Sequence, residues 1–79
     1  MNIYLISQRT NRSYDTYDSA VVTAVDEEAA RNTHPSGRDW NGRSNIWGPW
    51  CDAKDVKVEL LGEALREDSG VLCSSFNAG

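Results

Sequence analysis

Four stretches of the chain combine apolar and β-branched residues in the short runs that predict β-strands. They are Ile3 to Ser7, Ser19 to Val25, Val56 to Leu61 and Val71 to Phe76. The second stretch carries Ala and Val on both of its faces, which is typical of a strand in the middle of a sheet. We therefore expect the second strand to be central and to pair antiparallel with the first through a long hairpin loop.

The third stretch has the cleanest alternation. Val56, Val58 and Leu60 are expected to face the core, and Lys57 and Glu59 to face water, because successive side chains of a strand point to opposite sides. The last strand contains Cys73, which is expected to be a small buried apolar residue.

One short helix is predicted between the second and third strands. Asp26 is a good N-cap, since its carboxylate can accept the free backbone N–H groups of the first turn. The helix then runs from Glu27 to Thr33 and stops before Pro35, because the residue before a proline avoids helical angles. The side chains expected to pack on the sheet are those of Ala29, Ala30 and Thr33.

The segment from residue 35 to 52 shows neither helical nor strand periodicity, and Gly and Pro interrupt it. Structureless segments of this length are uncommon in compact domains and are usually functional or disordered. All three tryptophans of the chain, Trp40, Trp47 and Trp50, lie in this segment, whereas disordered segments are poor in aromatic residues. We therefore interpret residues 35–52 as an ordered functional loop.

Together these elements predict an α+β fold. Residues 1–79 would form a single domain of order ββαββ, with an antiparallel sheet of about four strands, one short helix and a long Trp-rich loop. A chain this short buries only about 60% of its unfolded surface, so its core is small. A homodimer or a higher homo-oligomer is the expected way to gain buried area.

The net charge of −4 argues against nonspecific binding to nucleic acid, which depends on neutralising phosphates. The apolar runs are too short to cross a membrane. The first residues have no basic start and only a short apolar run, so no signal peptide is predicted. Cys51 and Cys73 are then expected to be reduced and unpaired, as in a cytoplasm, with Cys51 packed under the loop.

No catalytic or metal-binding motif is present in the sequence. His34 is the only histidine, and the cysteines are too far apart to give the usual metal-ligand spacing. A nucleophilic pair of His34 with Cys51 or Cys73 is conceivable, but packing roles explain these residues more simply. We therefore predict no cofactor, no metal and no enzymatic activity.

Aromatic and arginine residues alternate in the two long loops, and this pattern indicates a binding surface. Aromatic rings stack on flat groups such as nucleobases, and guanidinium groups bind phosphate through paired hydrogen bonds. The same residue types also anchor protein interfaces, and tryptophan also serves as core filler in small domains. The predicted ligand-binding residues are Arg12, Tyr14, Tyr17, Arg38, Trp40, Arg43, Trp47, Trp50, Phe76 and Asn77.

Four segments together form a wider pattern: MNIYLISQ, YDTYDSAVVTAVDEEAARNTHPSG, VKVELLGEA and SFNAG. This pattern resembles a family of small bacteriophage proteins over nearly the whole chain, and departs from it most between Arg38 and Asp52. The resemblance implies expression in the cytoplasm of an infected bacterium. By analogy with other small acidic phage proteins, it implies an inhibitor of host antiviral defence.

Three functions are compatible with these observations. The first is non-enzymatic sequestration of a nucleotide-like signalling ligand by the aromatic and arginine residues. The second is an inhibitor that binds a host defence protein, as anti-CRISPR proteins do, through the same tryptophans or through the acidic C-terminal half. The third is a small phosphodiesterase-like enzyme that degrades the signal with His34 and an acidic residue.

Overall fold

The computed structural model describes residues 1–10, 16–37, 40, 50–65 and 68–77. Strands β1 (Asn2–Ser7) and β2 (Thr16–Ala24) come first, followed by helix α1 (Glu27–Arg31) and a single 3-10 turn (Ala53–Asp55). Strands β3 (Lys57–Glu63) and β4 (Gly70–Asn77) complete the described elements. The radius of gyration is 11.7 Å, close to the value of about 12 Å expected for a compact domain of this length.

The four strands form one antiparallel sheet in the order β3-β1-β2-β4. The predicted antiparallel pairing of the first two strands is confirmed, with Leu5 opposite Val21. The central position of β2 is confirmed as well, and its apolar residues on both faces are consistent with that position. β3 and β4 lie at opposite edges, so the chain between them crosses from one side of the sheet to the other.

The helix begins where the sequence predicts. The Asp26 carboxylate accepts a hydrogen bond of 2.8 Å from the backbone N–H of Ala29, as an N-cap should. The helix ends at Arg31, two residues before the predicted end at Thr33. The Asn32 side chain donates to the carbonyl of Glu28, and the Thr33 hydroxyl donates to the carbonyl of Ala29, at 2.9 and 2.8 Å. These bonds satisfy the last carbonyls, and the chain turns away from the helical path.

The hydrophobic core lies between α1 and one face of the sheet. Ala30 is the fully buried residue of the helix, and Ala29 packs beside it against the core. On the sheet, alternate residues of β1 and β2 point toward the helix, and their apolar side chains are buried there. The buried apolar residues are Tyr4, Ile6, Ala20, Val22, Ala24, Ala30, Trp50, Cys51 and Val56.

Two burial predictions for the edge strands are wrong. Leu60 was expected in the core, but its side chain is 61% exposed. It lies on the edge strand β3, which has a neighbouring strand on only one side among the described residues. Cys73 was expected to be buried, but it is exposed. It lies opposite Val21, and therefore on the sheet face away from the buried Val22.

The described helix is too short and too polar to cross a membrane, and no other α-helix occurs among the described residues. Most of the predicted loop of residues 35–52 falls outside the described residues. Within that segment the structure describes only residues 35–37, Trp40 and residues 50–52.

Candidate functional site

Four ring side chains follow one another across the helix-covered side of the molecule. Phe76 and Tyr17 have their ring centroids 4.8 Å apart, and Tyr17 and His34 lie 6.1 Å apart. His34 and Trp40 follow at 5.7 Å. All three contacts are edge-to-face, the arrangement that the charge distribution of aromatic rings favours. We call Phe76, Tyr17, His34 and Trp40 the aromatic row.

A β-bulge places Tyr17 in this row. Tyr17 lies opposite Phe76 and Ser19 lies opposite Ser75, so Asp18 is an extra residue in β2. Without the bulge, Tyr17 would share the face of Ser19, which points away from the helix. The extra residue reverses this alternation and directs Tyr17 toward the core, against which its half-buried ring packs.

A turn after the helix fixes the orientation of His34. The backbone N–H of Gly37 donates to the carbonyl of His34 at 2.9 Å, which closes the turn, and Gly37 has a positive φ of 82° that suits glycine. The Nδ1 atom of His34 accepts a hydrogen bond from the Ser36 backbone N–H at 3.1 Å and lies 2.7 Å from the Ser36 hydroxyl. Because Nδ1 accepts, the neutral ring carries its proton on Nε2.

A polar recess of about 220 Å³ adjoins the aromatic row. One wall consists of residues 32–34 and Gly37, at the end of the helix. The other wall consists of residues 69–71, at the start of β4. None of these lining residues carries an acidic or a Lys or Arg side chain. His34 belongs both to the recess and to the aromatic row, so the two features form one continuous surface.

The second wall of the recess is held by a buried hydroxyl. Thr23 is fully buried, and its Oγ1 atom lies 3.0 Å from the carbonyl oxygen of Asp68 and 3.4 Å from that of Gly70. The hydroxyl proton can be donated to either carbonyl. This contact attaches the chain that enters β4 to the central strand β2, and so positions the recess wall beside the end of the helix.

The structure brings together three of the ten predicted ligand-binding residues: Tyr17, Trp40 and Phe76. Trp50 is only 2% exposed and lies in the hydrophobic core, so its ring packs the fold, and its assignment to ligand binding stays a prediction. Asn77 pairs with Thr16 at the end of the sheet. The remaining predicted residues lie outside the described part of the chain: Arg12, Tyr14, Arg38, Arg43 and Trp47.

The sequence pattern indicates a conceivable catalytic role for His34, but it does not indicate that His34 belongs to the binding surface. The recess was also missed. Its walls are about 35 residues apart in sequence, from Asn32–His34 to Ser69–Val71, and only the packing of β4 beside β2 brings them together. The sole signal for His34 was its position between two aromatic-rich segments, which does not distinguish a surface role from a packing role.

The Cys51 thiol lacks the lowered pKa of an activated nucleophile. Cys51 and Cys73 are both free, as predicted. Burial raises the pKa of the Cys51 thiol, and the neighbouring Asp55 and Asp52 carboxylates raise it further, while a hydrogen bond with Thr10 opposes the shift. A catalytic thiol requires a lowered pKa. Among the described residues no cluster of His, Cys, Asp and Glu is arranged to hold a metal ion.

Comparison of the chain with models of protein families, with curated proteins and with solved structures finds no match.

Proposed function

We propose that this protein binds a small nucleotide-like ligand without transforming it. The observation that carries the proposal is the continuity of the aromatic row with the polar recess, through His34. Small-molecule sites commonly combine aromatic surface with a few polar groups that fix orientation. A flat base fits the aromatic rings, and a hydroxyl-bearing sugar fits the uncharged recess.

The ligand's phosphate requires cationic groups beyond the recess, because the recess lining carries none. In the proposal, Arg38 and Arg43 supply these cationic groups. Both belong to the Trp-rich loop of residues 35–52, which connects the helix to the third strand in the proposed ββαββ order. The described ends of that segment support this placement, since Trp40 contacts His34 and Trp50 anchors the segment in the core. Local arginines are needed because the net charge of −4 repels an anion.

The biological context in this proposal comes from the resemblance to small bacteriophage proteins. In the cytoplasm of an infected bacterium, a protein that sequesters a nucleotide signal lowers its free concentration and silences the host defence that depends on it. Such a protein acts in stoichiometric amounts and needs no catalytic group. The raised pKa of Cys51 supports a non-enzymatic role for this thiol.

A second candidate function is a protein-binding inhibitor of a host defence complex. It is favoured by the exposure of Phe76, whose side chain is 46% accessible beside the half-buried Tyr17 and Trp40. Aromatic side chains that are partly packed against the protein and partly exposed to solvent are frequent anchors of protein interfaces.

One experiment separates these candidates. The purified protein is incubated with a panel of cyclic nucleotides and ADP-ribose derivatives, separated from the free compounds, and then denatured by heat. Chromatography with mass spectrometry of the released material should show an intact compound. Release of an altered compound would indicate a phosphodiesterase-like enzyme, and retention of none of the compounds would indicate a protein-binding inhibitor.

A matched pair of variants tests the site itself. Phe76→Ala removes an exposed ring of the aromatic row, and we expect it to weaken ligand binding by about tenfold, or about 1.4 kcal/mol. Leu72→Ala removes a side chain of similar exposure from the same strand, 41% against 46%, and should leave binding unchanged. Calorimetry with the retained compound measures both. Equal losses would place the site elsewhere.

A further inference from the structure

The edge strand β3 carries exposed apolar side chains. Leu60 and Leu61 are 61% and 53% exposed on this strand. Just after this strand, the Ala64 backbone N–H donates to the carbonyl of Met1 at 2.9 Å. The exposed apolar side chains of this region are those of Met1, Leu60, Leu61 and Leu65. Several exposed apolar side chains near one sheet edge favour an interaction surface there.

In the part of the chain that the structure describes, β3 also presents an unpaired backbone edge, since β1 pairs with its other side. Such an edge accepts another strand readily unless something blocks it. Its first four residues, from Lys57 to Leu60, pair regularly with β1. A bulge at Leu61 then interrupts the ladder, because Tyr4 lies opposite Leu60 and Ile3 lies opposite Gly62. The regular edge is therefore short and precedes the bulge.

The charges on this regular edge are self-complementary. Lys57 and Glu59 are both exposed and lie two residues apart, so they share one face of the strand. Val58 lies between them, on the opposite face. When two copies of such a strand run antiparallel with the two Val58 residues opposite each other, each Lys57 faces the Glu59 of the other copy. Opposite charges at directly facing positions stabilise a strand pair.

The geometry points to β3 as the site where a second copy of this chain docks, with the two β3 strands antiparallel and centred on Val58. Neighbouring registers are disfavoured either by the same charges or by the bulge. A pairing centred on Glu59 or on Lys57 would place like charges opposite each other, and a pairing centred on Leu60 would extend into the bulge. In the proposed register, the half-buried Val58 side chains of the two copies lie opposite each other, on the strand face that also carries Leu60.

The opposite edge of the sheet lacks this specificity. β4 has the sequence GVLCSSFN and carries no charged residue, so charge pairs do not select a register there. Its exposed residues include Phe76, which the aromatic row already uses. Pairing through β3 leaves the aromatic row and the recess open in both copies, and it joins the two sheets into one of eight strands.

A charge-reversal series tests the pairing, with sedimentation velocity from low to high micromolar concentration as the readout. The unchanged protein should be dimeric at high micromolar concentration. Glu59→Lys replaces both attractive pairs by repulsive ones and should raise the dimer Kd by at least about tenfold. The double variant Lys57→Glu with Glu59→Lys exchanges the charges and should restore the original Kd. Ser75→Lys places a matched charge on the exposed surface of β4 and should have no effect.

Each contrary outcome overturns the proposal. A protein that is monomeric at every concentration has no such interface. A dimer that Glu59→Lys leaves intact uses another surface, and a dimer that Ser75→Lys dissociates uses β4. Failure of the double variant to restore the dimer, with its thermal transition unchanged, would show that the Lys57–Glu59 pairs are absent. Lys57, Glu59 and Ser75 are all exposed, so these variants should fold.

Discussion

The two faces of the sheet consist of alternate residues of the same strands, yet their environments differ. On the face toward α1, Ile6 and Val22 are completely buried. On the opposite face, their neighbours Leu5 and Val21 are only half-buried, and Cys73 beside Val21 is exposed. All of these side chains are apolar or nearly so. The difference comes from what covers them, which for the buried face is a helix of five residues and the ring of Trp50.

The largest predicted effect tests this contrast directly. Ile6→Ala should lower the free energy of unfolding by about 2–5 kcal/mol, because it leaves a cavity in a fully packed site. Leu5→Ala should cost only about 1–2 kcal/mol, because its side chain already contacts water and leaves no closed cavity. Urea unfolding monitored by circular dichroism measures both. Equal losses would mean that the second face is covered in solution.

The next effect concerns the two thiols. Cys51→Ser should cost about 1–3 kcal/mol, because a hydroxyl at this buried position needs a hydrogen-bond partner. Cys73→Ser should change stability by less than about 0.5 kcal/mol, because the residue is exposed. The small cost at Cys73 follows from its exposure, whereas the sequence predicts that this residue is buried. Thermal unfolding under reducing conditions measures the two variants, and a larger loss for Cys73→Ser would mean that Cys73 is buried in solution.

A smaller effect is expected at Thr23, which is buried although it lies on the sheet face away from the helix. Thr23 is fully buried although it alternates with the residues that face the helix, because the chain entering β4 covers it. Thr23→Val keeps the shape and removes the hydroxyl, which should cost about 1 kcal/mol. Hydrogen exchange at residues 68–71 should also become faster. Unchanged exchange there would show that the hydroxyl does not attach this segment.

The smallest effect is a dependence of stability on pH. Because the folded-state pKa of Cys51 is raised by burial, the stabilisation from its neutral thiol is complete below the unfolded pKa, about 8.5. It is lost as the pH rises through the folded-state pKa. The midpoint of thermal unfolding should therefore fall more steeply between neutral and alkaline pH in the unchanged protein than in Cys51→Ala. Parallel curves would mean that Cys51 does not titrate differently in the two states.

The strands and the start of the helix were predictable because their signals are local. Alternation locates β3 to within two residues at either end, and Asp26 caps the helix as its position indicates. Burial at the edges was not predictable. The pattern Val56, Val58, Leu60 marks one face of a strand, but it does not tell how far along that face the helix reaches. The start of β2 at Thr16 depends on pairing with Asn77, 61 positions away.

The candidate site was predictable in composition and not in geometry. Aromatic residues could be recognised as costly surface residues, and Tyr17, Trp40 and Phe76 do converge. What brings them together is the bulge at Asp18 and the turn from His34 to Gly37. Neither the bulge nor the turn has a sequence signature strong enough to predict where the side chains of Tyr17 and His34 point. Trp50 shares its residue type with Trp40, but only the packing of the chain separates a core ring from a ring at the site.

The placement of β3 and β4 at opposite edges has a consequence for the order of folding. Only β1 and β2 are close in sequence. The other two pairings join Leu5 to Glu59 and Val21 to Cys73, each across more than fifty residues. Closing such long segments costs entropy before any contact forms, and folds rich in distant pairings assemble on the millisecond to second scale. The central hairpin is therefore the natural nucleus, and the outer strands join it late, so amides of β1 and β2 should be the last to exchange with solvent.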